Sequence, residues 1–399
     1  MTGTELILSG NGPGELTGWI APVARAARRL AAARGVVLRL TLALSPSQFA
    51  GGRELEVVRR WGLFDHIIPP ATVARLALGS GRLDPVEHGA LVHLGGELWI
   101  SARLAGRLRV PAAALVETTL VARRHRPFAR IFAVSPEVAE RLASRAVPPS
   151  KISVSGDPRS DAVLARSEAP SAGPAPDAGY VVSFLPGSRD RFFTVLAPYF
   201  LAVAGALADL GVRAAAQVIV SEFLSPDVVD AARAAASPLP QVPVRWITRD
   251  PWPALIASDL VVTIPGTNTL ELAMLGVPFA VVLEESGLHA APLEGAAEWL
   301  TRVPALGPAL RRLVVGRALR RLRFVALPNA LAGRLVVPEW VGRWTPPDLA
   351  KRVAELLSDP SRRETIRREL RGLGLSTPGA AERIAARLLA MAEGNIGKS

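Results

Sequence analysis

The chain contains no cysteine, only five histidines and only three lysines among 399 residues. Without cysteine there is no disulfide frame, no thiol nucleophile and no cysteine zinc site. His66, His88, His93, His125 and His289 are scattered through the sequence, so a histidine cluster and a bound metal are not expected either. Aromatic residues make up 5%, few for the stacking platforms that single-stranded nucleic acid requires. Long apolar runs are also missing. The longest charge-free stretch, Phe192–Ala208, carries Pro198 inside it and falls short of the ~20 residues that span a bilayer; it reads as a buried helix. The first residues, Met-Thr-Gly-Thr-Glu, lack the basic start and apolar run of a signal peptide. The expectation is a cytoplasmic protein that touches a membrane face at most.

What is present is an ordinary globular mixture, 49% apolar and 21% charged, which excludes a largely disordered chain. The length suits two or three domains. Basic side chains number 47 against 35 acidic, a net charge of +12, and Lys151, Lys351 and Lys398 are the only lysines. That charge suits a polyanionic partner or a membrane surface. An arginine-biased composition explains it equally well.

Short apolar runs alternate with longer Ala/Leu/Arg segments. Leu6–Ser9, Val36–Leu44, Leu91–Leu94 and Arg130–Ser135 read as strands, and Leu16–Ala33 and Pro136–Ala143 as helices. The Pro/Ala/Gly-rich segment at 166–179 buries little and reads as a linker. Beyond it the rhythm restarts, with strands at Tyr180–Leu185, Ala214–Val220, Val244–Thr248, Asp259–Ile264 and Phe279–Leu283. Helices are expected at Pro226–Ala236, Pro251–Ala257 and Thr269–Leu275, and Thr345–Ala392 reads as helical and mostly solvated. The pattern predicts an α/β chain of two Rossmann-like domains with parallel sheets. The expected boundaries are 1–168, a linker at 169–179, 180–370, and a helical tail at 371–399 that packs back on the first domain. Two such halves would face a cleft lined by the carboxyl ends of their strands.

Three glycine loops follow strands. Ser9-Gly10-Asn11-Gly12-Pro13-Gly14-Glu15 lets backbone N–H groups approach a ligand. Its spacing misses the dinucleotide fingerprint, because Glu15 stands where a third glycine belongs. Pro186-Gly187-Ser188-Arg189 opens the second half, and its arginine suits a phosphate. Ile264-Pro265-Gly266-Thr267-Asn268-Thr269-Leu270-Glu271 begins a helix that Thr267, Asn268 or Thr269 is expected to cap. The last two loops belong to one sheet edge and together suit a diphosphate and a ribose, with Glu271 accepting from hydroxyls. In the first half, Glu97 follows Gly95-Gly96 at a strand end, a placement that suits a general base.

Taken in order, these pieces resemble the lipid-A-disaccharide synthase family, inverting glycosyltransferases of the two-domain GT-B type. Leu185-Pro186-Gly187-Ser188-Arg189 matches the family's Leu-Pro-Gly-Ser-Arg motif, and Gly266-Thr267 through Leu270-Glu271 is close to its Ser-Gly-Thr-x-x-Leu-Glu motif. Ser9 to Gly18, Ser155 to Asp161 and Leu327 to Arg334, which includes Asn329, are similar to three further segments. The resemblance implies transfer of an acylated glucosamine from a UDP-sugar to a hydroxyl of an acylated glucosamine 1-phosphate, without a cofactor or metal. It implies an acceptor-binding first domain and a nucleotide-sugar-binding second domain. Glu97 and Arg189 are the implied catalytic residues. Gly12, Gly14, Glu15, Gly187, Ser188, Gly266, Thr267, Asn268, Glu271 and Asn329 are the implied substrate-binding residues. The implied partners are the two lipid-linked sugars and the inner-membrane surface, touched peripherally, with a homodimer as one assembly and nucleic acid excluded.

The departures fall mainly on the acceptor side. Asn11, Pro13 and Glu15 replace the first-loop Glu, Ser and Asp, Val121-Ala122-Arg123 replaces a Trp-Ala-Trp stretch, and Pro265 replaces a serine. A transferase with a different lipid-linked acceptor, a UDP-sugar 2-epimerase and a non-catalytic binding protein are the alternatives. The basic stretch Ala309–Val325, with Arg311, Arg312, Arg317, Arg320, Arg321 and Arg323, suits an anionic membrane face or an arginine-rich surface.

Overall fold

The computed structural model describes residues 3–46, 52–81, 86–167, 179–236, 242–284 and 323–394. The linker expected at 169–179, except Gly179, lies outside the described residues, as do His289 and all of the basic stretch up to residue 322. The chain divides into two compact units, one of residues 1–164 with 376–399 and the other of residues 165–375.

The first unit is built on seven strands: β1 (Thr4–Gly10), β2 (Leu38–Leu44), β3 (His66–Ile68), β4 (Gly89–His93), β5 (Ala112–Val116), β6 (Phe128–Ala133) and β7 (Ile152–Val154). They pair in the order β3-β2-β1-β4-β5-β6-β7, with every pairing parallel. Buried on both faces, β4 and β5 are apolar almost throughout rather than alternating, as is the Leu6-Ile7-Leu8 centre of β1. The chain runs outward from β1 to β2 on one side and to β4 on the other, so the switch point of the sheet lies between β1 and β4.

Helices cover both faces. They are α1 (Pro13–Glu15), α2 (Ala21–Arg34), α3 (Glu54–Arg60), α4 (Pro70–Ala77), α5 (Leu98–Leu108), α6 (Pro136–Ala143) and α7 (Pro158–Ser167). Leu16–Ile20, between α1 and α2, winds as one π-helical turn. The helix expected at Leu16–Ala33 is therefore two windings. Gly18 accounts for the close approach there: a Cβ on it would stand 2.6 Å from Cγ of Arg159.

The second unit has six strands: β8 (Tyr180–Leu185), β9 (Ala214–Ile219), β10 (Val244–Ile247), β11 (Leu260–Thr263), β12 (Phe279–Glu284) and β13 (Glu339–Gly342). Their order is β10-β9-β8-β11-β12-β13, again parallel, with the switch point between β8 and β11. Its helices are α8 (Asp190–Asp209), α9 (Pro226–Ala236), α10 (Trp252–Ile256), α11 (Asn268–Leu275), α12 (Leu327–Ala332), α13 (Pro346–Ser358) and α14 (Pro360–Gly372). Among the described residues α8 is the helix long and apolar enough to cross a membrane by length and composition. Here it is a core helix: Phe193, Leu196, Ala197, Phe200, Leu201 and Leu207 are buried, and the Phe200 ring stacks 5.4 Å from that of Phe184 on β8.

The C-terminal segment, expected to be mostly solvated, is so only along α14, where Ile366 and Leu370 alone are buried. Helix α13 buries Leu349, Ala350, Val353, Leu356 and Leu357. The final helix, α15 (Ala380–Ala392), buries Ala380, Ala381, Ile384, Ala385, Leu388 and Leu389 and packs on α2. Both partners are rich in alanine, which lets their backbones approach and hides an apolar face among abundant arginines. Polar bonds fix the same junction. Asp161 on α7 accepts from the Gly379 and Ala381 N–H groups at 2.6 Å each, capping α15 from another helix. Arg383 donates to the Ser155 carbonyl at 2.8 Å.

Candidate functional site

In the first unit, the loops leaving β1, β2, β4, β5 and β7 emerge at one edge, the carboxyl end of the sheet. The loop after β1 closes on Glu15. Its carboxylate accepts from the Asn11 N–H at 2.9 Å, the Gly12 N–H at 3.1 Å and, across the switch point, the Gly96 N–H at 3.3 Å. Gly95 has a φ of +145° and lies so close that a Cβ on it would overlap the Glu15 carboxyl. Burial pushes that carboxyl above its ordinary pKa; the three N–H groups pull it back in part, and the charge of Glu117 adds to the rise. Glu15 thus clasps two loops together, and its acceptor capacity is largely consumed by the protein itself. Gly12 and Gly14 lie half-buried in the same loop.

Beneath this loop runs a buried polar chain. His93 Nδ1 lies 2.9 Å from Ser101 Oγ, which donates to Ser9 Oγ at 3.0 Å; Ser9 Oγ lies 3.1 Å from Ser45 Oγ. The Asn11 amide donates to the Ser45 carbonyl. Burial lowers the pKa of His93 from 6.5 to about 4, so its ring is neutral near pH 7. Glu97 is the residue before α5, exposed at the rim of this edge. Among the described residues its side chain has no hydrogen-bond partner.

The loops after β5 and β7 bring Glu117, Asp157 and Arg159 together beside Trp19. Arg159, 2% exposed, grips Asp157 through Nε at 2.8 and 3.0 Å and holds Glu117 through Nη2 at 2.5 Å. Its guanidinium lies 4.9 Å from the Trp19 ring centroid, and the Trp19 indole N–H donates to Asp157 at 2.9 Å. Burial alone would lower the guanidinium's pKa, but the Asp157 and Glu117 carboxylates outweigh it and raise the value. Asp157 and Arg159 stand in the Ser155–Asp161 segment that carries part of the family resemblance. Glu117 gave no such signal: it follows β5, whose Ala-Ala-Ala start lacks the β-branched residues that mark a strand.

In the second unit the loops after β8 and β11 meet at the switch point. Gly187, with a φ of +106°, packs under Ile264: a Cβ there would stand 2.9 Å from the Ile264 Cδ1. Ser188 and Arg189 are half-buried beside it, and Arg189 is the residue before α8. Below them, Ser183 Oγ lies 2.7 Å from Ser258 Oγ and donates to Gln217 at 3.2 Å. Asp190 accepts from the Ser225 N–H at 2.9 Å, tying the start of α8 to the loop after β9.

Across the switch point Gly266 and Thr267 are exposed, and Asn268 and Glu271 half-buried. The expected side-chain cap on α11 is absent. Thr269 Oγ1 donates to the Gly266 carbonyl at 2.7 Å and Asn268 donates to Thr263 Oγ1, so both side chains shape the turn. Asn329 is fully buried. Its amide donates to the Val337 carbonyl at 2.9 Å and to Glu339 at 2.8 Å, while its oxygen accepts from the Val336 and Val337 N–H groups. Among the described residues no group of His, Asp and Glu side chains could hold a metal ion.

No family model matches the chain. Among curated proteins it is 30% identical over 213 residues to the lipid-A-disaccharide synthase of Syntrophus aciditrophicus, covering 53% of this chain and 49% of that one. It is likewise 30% identical over 223 residues to the lipid-A-disaccharide synthase of Koribacter versatilis, covering 53% and 50%. The chain spans about half the length of the curated relatives it matches. Among solved structures, that of S. aureus MnaA with UDP superposes with a TM-score of 0.61 at 12% identity, covering 99% of this chain and 98% of that one. The UDP-GlcNAc 2-epimerase of Neisseria meningitidis bound to UDP-GlcNAc gives 0.54 at 13% identity, covering 96% and 99%. The fold is thus a two-unit α/β fold of the GT-B type, and over about half its length the chain is similar in sequence to lipid-A-disaccharide synthases.

Proposed function

We propose that the chain is a glycosyltransferase that moves an acylated glucosamine from a UDP-sugar to a hydroxyl of an acylated glucosamine 1-phosphate. The observation that carries this reading is the second unit's switch point, where Gly187-Ser188-Arg189 and Gly266-Thr267 meet at one sheet edge. Similarity to lipid-A-disaccharide synthases supports the substrate class.

In this reading the UDP diphosphate lies against the Gly187 and Ser188 backbone, with Arg189 neutralising its charge and Glu271 accepting from ribose hydroxyls. Asn329 acts at a distance, holding the β13 approach rather than touching ligand. The acceptor lies at the first unit's edge, beside Gly12, Gly14 and Glu97. Its hydroxyl oxygen attacks C1 of the donor sugar and passes its proton to the Glu97 carboxylate. The bond from C1 to the diphosphate oxygen breaks, and its electron pair leaves with UDP. An exposed carboxylate without an internal partner is free to take that proton; Glu15, with three N–H donors on it, is not. No metal or cofactor enters the reaction, and the protein works peripherally at the inner-membrane surface.

Glu97→Gln is expected to reduce transfer at least 100-fold while UDP binds normally, since the change removes the base and leaves the nucleotide site intact. UDP release measured against UDP-sugars with and without acylated acceptors tests the reading. Turnover that needs no acceptor and inverts the sugar at C2 would instead establish the epimerase reading, which the fold neighbours make specific.

A further inference from the structure

We infer that Glu117 is a substrate-binding residue that fixes a hydroxyl of the acceptor sugar and so sets acceptor affinity; this rests on the transferase reading above. Glu117 is the first residue beyond β5, and Gly96-Glu97 follow β4, the strand paired beside it. Neighbouring parallel strands lie about 4.8 Å apart, so the two glutamates leave the sheet at the same edge.

The three carboxylates are held differently, and that difference assigns the role. Glu15 is occupied by three backbone donors. Glu97 has no partner among the described residues and is free to reorient. Glu117 has one oxygen, Oε2, anchored at 2.5 Å by Arg159. Among the described residues its other oxygen has no partner, and its side chain is 41% exposed.

Arg159 itself cannot swing. It is buried, engaged through Nε by both Asp157 oxygens, stacked over Trp19 and packed against Gly18. A carboxylate pinned at one oxygen by an immobile guanidinium presents the other in a fixed direction. That geometry suits accepting a hydrogen bond from a sugar hydroxyl, and not shuttling a proton. The same anion disfavours a second phosphate at this place, so the preferred ligand is a neutral hydroxyl-bearing ring.

The test is steady-state UDP release with the full chain, a saturating UDP-sugar donor and a varied acylated glucosamine 1-phosphate acceptor. Glu117→Gln keeps the side chain's shape and can still accept from Arg159, so the fold is retained, as a thermal melt verifies. The inference predicts that the acceptor KM rises about tenfold, the loss of one charge-assisted hydrogen bond. It predicts kcat within about threefold of wild type, on the same principle, and unchanged UDP affinity. An unchanged acceptor KM overturns the inference, and so does a collapse of kcat at unchanged KM, which would put Glu117 at the reacting atoms. If wild-type protein releases no UDP with any acceptor, the transferase reading fails first and this inference with it. The two failures are therefore distinguishable.

Discussion

At the scale of single residues, the chemistry turns on how each charged group is held. Arg189 stands at the mouth of the second unit's switch point, where a diphosphate would sit. Arg189→Ala is expected to weaken UDP binding by about 10- to 100-fold in titration calorimetry, the value of one or more charge-assisted bonds. Normal UDP affinity would remove it from the site. His93 gives a second prediction, on stability. Its folded-state pKa is depressed to about 4 against 6.5 in the free side chain. Above the ordinary value both states are neutral and the contribution to stability is complete. As pH falls from about 6.5 to about 4, the unfolded chain takes up a proton that the native ring refuses, and stability drops by about 3 kcal/mol. Urea midpoints across this range should fall more steeply for wild type than for His93→Asn. Equal slopes would place the His93 ring in contact with solvent.

At the scale of elements, the return of the last helix is the test of packing. Asp161 reaches across from α7 to accept the first free N–H groups of α15, a cap supplied by a different helix. Asp161→Ala should destabilise the protein by about 1–2 kcal/mol, read as a lower urea midpoint at constant slope. An unchanged midpoint would mean that α15 is held by its alanine face alone.

Elements were also the most legible level of the sequence. Continuous apolar runs between glycine loops placed β1, β2, β4, β8, β9 and β11 to within a residue or two, because strands buried on both faces leave that pattern. Short edge strands β3, β7 and β13 left no run long enough to read. The Ala-Ala-Ala start of β5 carries helix-forming residues in a strand, where tertiary burial overrides propensity. The residues missed at the candidate site share one cause. Trp19, Glu117 and the Asp157–Arg159 pair stand far apart in sequence and meet only through the sheet order, which spacing does not encode.

At the scale of the whole molecule, two parallel sheets each carry a glycine-bordered switch point, one with a carboxylate at its rim and one with an arginine. Such a division suits a reaction in which one half removes a proton and the other stabilises a departing anion. In the proposed transfer the chain's positive charge has a use, since a UDP-sugar donor and a sugar 1-phosphate acceptor would both be phosphorylated. The central claim is acceptor-dependent transfer through Glu97. UDP release by wild type and Glu97→Gln, measured with UDP–acylglucosamine in the presence and absence of acylated glucosamine 1-phosphate, tests it most directly. The account predicts release by wild type only when acceptor is present, and a loss of at least 100-fold in the variant with UDP affinity retained. Release that is independent of acceptor, or undiminished by Glu97→Gln, would contradict it.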